Sequence, residues 1–285
     1  MPRFQTFLLT LLTMVAFAAN SLLCRLALRN TPIDAATFTS IRIVSGALTL
    51  WLLMRMRGGD FRLDGNWPSA FALFVYATGF SFAYRSLPAS TGALLLFSAV
   101  QATMICYGLW TGDRLSVRQL AGLTLAFGGL VLLLLPGLSA PPIGGSALML
   151  CAGAAWGVYS LRGRGCVDPI NVTAGNFIRA SPAAAILGAF TLPWSAVDSA
   201  GFFYAICSGA LASGIGYAIW YTALRGLKAT SAATVQLSVP VLAAFGGVIF
   251  LDETVTTRLL LATAAILGGI AAVVIRKQAQ QTPVK

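Results

Sequence analysis

From Phe4 to Cys24 the chain runs 21 residues without a charged side chain, and stretches of this character recur almost to its end. A bilayer core ~30 Å thick is crossed by a helix of ~20 such residues. Within it every backbone N–H and C=O must be satisfied inside the segment, which favours helices. This pattern points to an all-α polytopic membrane protein. Of the 285 residues, 58% are hydrophobic and 9% are charged, against about 25% charged in soluble domains. An ordinary soluble enzyme and a nucleic-acid-binding chain are both excluded on that ground.

Breaks at Pro, Gly and charged residues define ten spans, approximately 4–24, 33–54, 68–86, 89–110, 116–135, 143–161, 170–190, 199–222, 229–250 and 256–275. Pro88 and Lys228 fall in short turns, which makes spans 3/4 and 8/9 tight hairpins. The net charge of +11 comes from scattered basic residues, and their placement reports topology. With the N-terminus inside, the cytoplasmic segments hold thirteen Lys and Arg, including Arg55, Arg57, Arg62, Arg114, Arg118, Arg162, Arg164, Arg225 and Lys228. The outer segments hold four: Arg25, Arg29, Arg85 and Arg258. Both termini are therefore expected in the cytoplasm, in a multi-pass protein of the cytoplasmic membrane. Arg3, the following apolar run and Ala16-Phe17-Ala18 imitate a cleavable signal peptide. Because the internal repeat described next needs this segment, it is read as a retained first helix.

The two halves of the sequence resemble each other. Leu87-x-Ala89-Ser90-Thr91 matches Leu227-x-Ala229-Thr230-Ser231 at an offset of 140, which also brings Ser98 onto Ser238, Asp113 onto Glu253, Arg118 onto Arg258 and Gly128-Gly129 onto Gly268-Gly269. Phe17 aligns with Trp156 at 139, and Arg42 with Arg179 at 137. Five spans is an odd number, so the second half enters the membrane from the opposite face. The expected organisation is a 5+5 inverted-topology repeat, with residues 1–138 as one half and 139–285 as the other. Such repeats place a substrate site near the midplane, between the halves.

Ala155-Trp156-Gly157 in span 6, the paired arginines of spans 2 and 7, Leu237-Ser238-Val239-Pro240 in span 9, the acidic turns after spans 4 and 9, and the glycine pairs together resemble the EamA-type branch of the drug/metabolite transporter superfamily. Within that branch the sequence is most similar to YddG-like aromatic amino-acid exporters. The resemblance implies ten helices, export of small metabolites or amino acids, and a cavity lined mainly by spans 1, 3, 4, 6, 8 and 9. Two departures stand out: Val100 occupies the position where Pro240 would place a proline in span 4, and Phe17-Ala18 replaces Trp-Gly in span 1.

Aromatic residues carry the strongest site signal. Tyr76, Phe80 and Tyr84 in span 3 share a helix face, as do Tyr217, Trp220 and Tyr221 in span 8. Phe17 and Asn20 in span 1, Trp156, Tyr159 and Ser160 in span 6, Phe97 and Gln101 in span 4, and Gln236 and Ser238 in span 9 complete the candidate cavity. Amides in a bilayer are costly unless they face a cavity or a partner. An interfacial aromatic belt is the alternative, above all for Tyr84 and Tyr221 near span ends. Arg42 and Arg179 lie about nine residues into their spans, near 13 Å of depth at ~1.5 Å per residue. They read as gating or structural groups, with attraction of a substrate carboxylate as the alternative. Pro240 reads as a mid-span kink or hinge. Gly153-x-x-x-Gly157 and the two glycine pairs read as packing devices.

No Asp or Glu falls in mid-span, which argues against the carboxylate-based antiport of cationic drugs. The five cysteines (Cys24, Cys106, Cys151, Cys166, Cys207) are isolated and there is no histidine, so no disulfide framework, metal site or cofactor is expected. The leading reading is a secondary transporter, not an enzyme, exporting amino acids with aromatic or hydrophobic side chains favoured. Its expected partners are a small-molecule substrate and the lipid bilayer, without nucleic acid, in a monomer or weak dimer. The alternatives are transport of organic anions or other metabolites on the same fold, and a membrane-embedded lipid-modifying enzyme. For the enzyme, Asp60-x-Arg62-x-Asp64 and Asp252-Glu253 are the only ionisable clusters.

Overall fold

The computed structural model describes residues 3–57, 64–112, 116–137, 140–163, 165–191, 196–227 and 235–280, with side chains from 4 to 272. Among them are ten helices of 14 residues or more: α1 (Arg3–Asn30), α2 (Ala35–Met56), α3 (Trp67–Tyr84), α4 (Ala89–Trp110), α5 (Val117–Leu134), α6 (Ile143–Arg162), α7 (Pro169–Thr191), α8 (Ser199–Leu224), α9 (Ser238–Leu251) and α10 (Thr257–Gln280). No strand occurs among the described residues. Six of the helices are long and apolar enough to cross a membrane, namely α1, α2, α4, α5, α6 and α8. Large apolar side chains such as Phe71, Phe127, Phe190 and Phe245 point outward, an arrangement that water would penalise and lipid accommodates. This is a multi-pass membrane protein.

Helix starts follow local chemistry. The Asp34 carboxylate accepts from the N–H groups of Ala36 and Thr37, Asn66 caps α3 through Ser69, Asp198 caps α8 through Gly201, and Ser116 with Gln119 forms a reciprocal capping box. Pro88 precedes α4 and offers no capping side chain. Glu253, just beyond α9, fills that role from a distance. Its two carboxylate oxygens lie 2.9 and 2.8 Å from the Ala89 N–H, and it pairs with Arg25 Nε at 3.5 Å. A carboxylate at a helix N-terminus is stabilised by the helix dipole.

Helices from early in the chain pack on helices from late in it. The main neighbours are α5 with α10, α2 with α7, α3 and α4 with α6, and α1 with α8 and α9. Small residues set the closest approaches. A Cβ on Gly153 would sit 2.4 Å from the Leu96 carbonyl of α4, and one on Gly269 would sit 2.4 Å from the Gly122 carbonyl of α5. Gly128 and Gly268 face open space, so only the second member of each glycine pair serves packing.

Two features go beyond the sequence expectation and a third bears on Pro240. The helix is interrupted at Leu237, with Val235 and Gln236 helical before it and α9 starting at Ser238, so Pro240 follows directly on a break in the helix, within the first turn of α9. Pro182 lies inside α7, where it does leave a carbonyl unpaired within the helix. The middle of α8, Cys207–Ile215, is wound as a π-helix. Asp60, Arg62, Asp113, Arg114, Arg164, Lys228 and the Ala229-Thr230-Ser231 repeat element lie outside the described residues.

Candidate functional site

The aromatic residues singled out in the sequence meet at the crossing of α1, α3, α6 and α8. Trp156 stands at the centre, with its ring centroid 4.9 Å from Tyr76, 4.7 Å from Tyr217, 5.5 Å from Tyr159 and 5.9 Å from Phe17. Phe17 also meets the edges of Tyr217 and Trp220, at 5.8 Å each. Phe80 links Tyr76 at 5.5 Å to Tyr84 at 4.7 Å. Edge-to-face contacts such as these add to the burial of the rings. Tyr84 and Tyr221 are buried rather than exposed, which rules out the belt reading for both.

Between these rings lies a cavity of about 10 Å³ lined by Phe17, Asn20, Ser21, Tyr76, Phe80, Leu96, Phe97, Trp156 and Tyr217. That is room for about one water molecule, whereas sites for drug-sized ligands run to ~300 Å³ or more. The site is contracted here. Of the expected cavity residues, Gln101 and Gln236 are buried away from this wall, and Ser160 and Ser238 are half-buried. The Ser238 hydroxyl donates to the Val235 carbonyl instead, at 2.7 Å. Among the described residues α9 contributes nothing to the lining. A second, larger cavity of about 320 Å³ lies where α1, α2, α3 and α7 end, lined by Leu28, Asp34, Phe82, Arg85 and Thr191 among others.

One pole of the aromatic cluster is polar. Arg42 on α2 is buried, and its Nη2 donates to the Tyr76 hydroxyl at 3.0 Å and to the Tyr217 hydroxyl at 3.4 Å. Its Nε donates to Ser213 Oγ at 3.1 Å. The Asn20 amide donates to the Tyr76 hydroxyl at 3.4 Å, and the Ser208 hydroxyl donates to Asn20 Oδ1 at 2.6 Å. The guanidinium carbon lies 4.8 Å from the Phe80 ring centroid and 5.2 Å from that of Tyr76, within cation–π range.

Arg179, with which Arg42 aligns in the sequence, behaves differently. It is half-buried, and its Nη1 donates to the carbonyls of Asp64 at 2.7 Å and Gly175 at 3.0 Å. The matched arginines therefore have unlike surroundings, which sequence symmetry did not suggest. Ser208 and Ser213 were missed as well. Both belong to the π-helical stretch, and the available signal was its density of Ser and Gly in Cys207-Ser208-Gly209-Ala210-Leu211-Ala212-Ser213-Gly214. π-Helical turns often occur at functional sites.

Comparison with known proteins fixes the family. The profile of the EamA-like transporter family matches residues 5–135 and again 143–275. The chain belongs to the EamA-like transporter family. An uncharacterised protein of Pseudomonas aeruginosa is 56% identical over 272 residues, covering 95% of each chain. The uncharacterised transporter YvbV of Bacillus subtilis is 25% identical over 99% of this chain and 95% of its own. The threonine/homoserine exporter RhtA of Escherichia coli is 36% identical over 131 residues, 44% of this chain and 43% of the exporter. A crystal structure with a TM-score of 0.67 covers 97% of this chain and 99% of its own at 18% identity, a likeness of fold alone.

Proposed function

We propose that this EamA-family protein is a secondary transporter that exports amino acids, those with aromatic or hydrophobic side chains favoured, by alternating access through the cavity around Trp156. In this reading the ten helices all cross the cytoplasmic membrane as two inverted five-helix halves, 1–138 and 139–285, with both termini in the cytoplasm. The working unit is a monomer or weak dimer, and no enzymatic step is involved. The twofold match of the family profile and the cross-packing of α5 with α10 and α2 with α7 support the repeat. The partial likeness to a threonine/homoserine exporter supports the substrate class, and the ring-lined wall supports the preference for aromatic substrates over threonine-like ones.

The single observation that carries the reading is the juxtaposition of a buried aromatic cage with a polar pole formed by Asn20, Tyr76 and Tyr217. Such a site offers an apolar side chain a home and leaves the head group within reach of hydrogen-bonding groups. Contraction to about 10 Å³ means that the helix pairs must separate before a substrate can enter, as rocking of inverted repeats provides. Counterflow of radiolabelled phenylalanine, leucine and threonine into proteoliposomes, with and without a pH gradient, tests the proposal. Accumulation above protein-free liposomes is expected, strongest for phenylalanine. Its absence for every amino acid refutes the reading.

A further inference from the structure

Arg42 carries a formal charge into the interior and meets no acid there. Among the described residues the one ion pair is Arg25 with Glu253. The hydrogen-bond partners of Arg42 are three side-chain hydroxyls, those of Tyr76, Tyr217 and Ser213, and its Nη1 makes no hydrogen bond at all. Burying an ionised group without a counter-charge is expensive; hydroxyls and ring faces offset part of the cost, and a partner of opposite charge would offset more. Arg179 provides an internal comparison: its guanidinium donates to two backbone carbonyls, that of Gly175 one turn earlier in α7 and that of Asp64 ahead of α3. Arg42 reaches none.

The surrounding donors reinforce the point. The Tyr76 hydroxyl lies within hydrogen-bond distance of Arg42 Nη2, the Asn20 amide and the Tyr217 hydroxyl, more donors than its two lone pairs can serve at once. A guanidinium and a phenol held together in this way form a donor-rich pole, and the groups that bond it are hydroxyls and an amide rather than carboxylates. Tyr76 and Tyr217 line the cavity wall, and Arg42, which is not itself part of that lining, is bonded to the hydroxyls of both. Gly209 on the π-helical stretch allows this closeness, since a Cβ there would fall 2.2 Å from the Arg42 carbonyl.

We propose that Arg42, together with the Tyr76 and Tyr217 hydroxyls, is the carboxylate-binding subsite of the transported molecule. The inference rests on the transport reading above and sharpens it. The substrate carries one carboxylate, which neutralises Arg42, while its apolar side chain lies among Phe17, Phe80 and Trp156. An ammonium group meets no acid here, and its share of recognition falls to Asn20 Oδ1 and the ring faces. The carboxylate should accordingly contribute more to affinity than the amine. The same subsite would accept a simple organic acid with an aromatic tail.

Competition against phenylalanine counterflow separates these contributions, with binding measured independently by quenching of tryptophan fluorescence in detergent. 3-Phenylpropionate, which lacks the amine, should compete; phenylalaninamide, which lacks the carboxylate, should compete at least about 30-fold less well than phenylalanine, the loss expected when a buried charge pair is broken. Arg42→Gln should weaken phenylalanine and 3-phenylpropionate by a similar factor and leave the amide unchanged, while Arg42→Lys retains part of the affinity. Equal competition by phenylalanine and its amide in the unaltered protein overturns the proposal, and that measurement stands even if Arg42→Gln fails to fold. Equal weakening of amide and acid by Arg42→Gln, with Arg42→Lys no better, also overturns it. If no amino acid is transported but 3-phenylpropionate binds in an Arg42-dependent way, the amino-acid reading falls and the carboxylate subsite holds. If neither binds, both fall.

Discussion

Glu253→Gln isolates the charge that closes the end of the bundle where α1, α4 and α9 meet. Among the described residues Glu253 is the side chain that caps α4, because Pro88 supplies no side-chain hydrogen bond. The substitution keeps an acceptor for the Ala89 N–H and removes the negative charge. A hydrogen bond to a charged group contributes ~1.5–3 kcal/mol and a neutral one ~0.5–1.5, and a carboxylate at a helix N-terminus adds ~0.3–1. Arg25 keeps its bonds to the carbonyls of Tyr84 at 2.8 Å and Arg85 at 3.2 Å, so its loss is partial. The closed arrangement should therefore weaken by about 2 kcal/mol, roughly 30-fold in the open-to-closed ratio. Cys24, fully buried beside Arg25 in the sequence, is a native reporter. With Cys106, Cys151, Cys166 and Cys207 replaced by serine or alanine, a membrane-impermeant maleimide should label Cys24 about 30-fold faster in Glu253→Gln, well below the onset of thermal unfolding. A labelling rate within about 2-fold of the parent would refute the reasoning that this carboxylate holds the end of the bundle shut.

Trp156→Ala removes the ring at the centre of the aromatic cluster and should lower stability by about 3–5 kcal/mol, the range for large-to-small changes in a packed core; Trp156→Phe should retain folding and change substrate preference, as counterflow would report. Gly153→Leu should separate α4 from α6, because even a Cβ falls 2.4 Å from the Leu96 carbonyl; a clear drop in detergent melting temperature is expected. At Asp34 burial pushes the carboxyl pKa up, but the interactions with Thr37 and the Ala36 N–H outweigh it and hold the pKa below its ordinary 3.8. The cap's contribution is then complete above about pH 4 and fades as pH falls through the lower folded value. Asp34→Asn keeps a capping oxygen without the titration, so melting temperature measured from pH 6 to pH 3 should fall less steeply in the variant.

The limits of most of the described helices were legible because a long apolar helix imprints itself locally, as an apolar run closed by Pro, Gly or charge; the start of α9 at Ser238, against an expected 229, was not. The starts of α4, α6 and α8 agree with the sequence reading to the residue, since Pro88, Pro142 and Asp198 mark them. Most of the aromatic cluster was legible for a related reason. Tyr76 and Phe80 share a face of α3, and a bulky stripe on a helix packed by neighbours turns inward.

The rest depended on contacts between distant segments. Which of the two aligned arginines meets the aromatic cluster was decided by what stands opposite each: hydroxyls from α3 and α8 around Arg42, and the Asp64 carbonyl ahead of α3 beside Arg179. The π-helical register of α8, which delivers Ser208 to Asn20 and Ser213 to Arg42, is a choice of hydrogen-bond partner one residue further along the chain. Periodicity of side chains does not encode that choice, because it is settled by the close fit of Gly209 against α2. Local hydropathy thus determined that this chain forms membrane helices and where most of the described ones begin. Long-range packing alone decided which polar atoms those helices gather at their crossing, since the chain's order carries no record of which faces will meet.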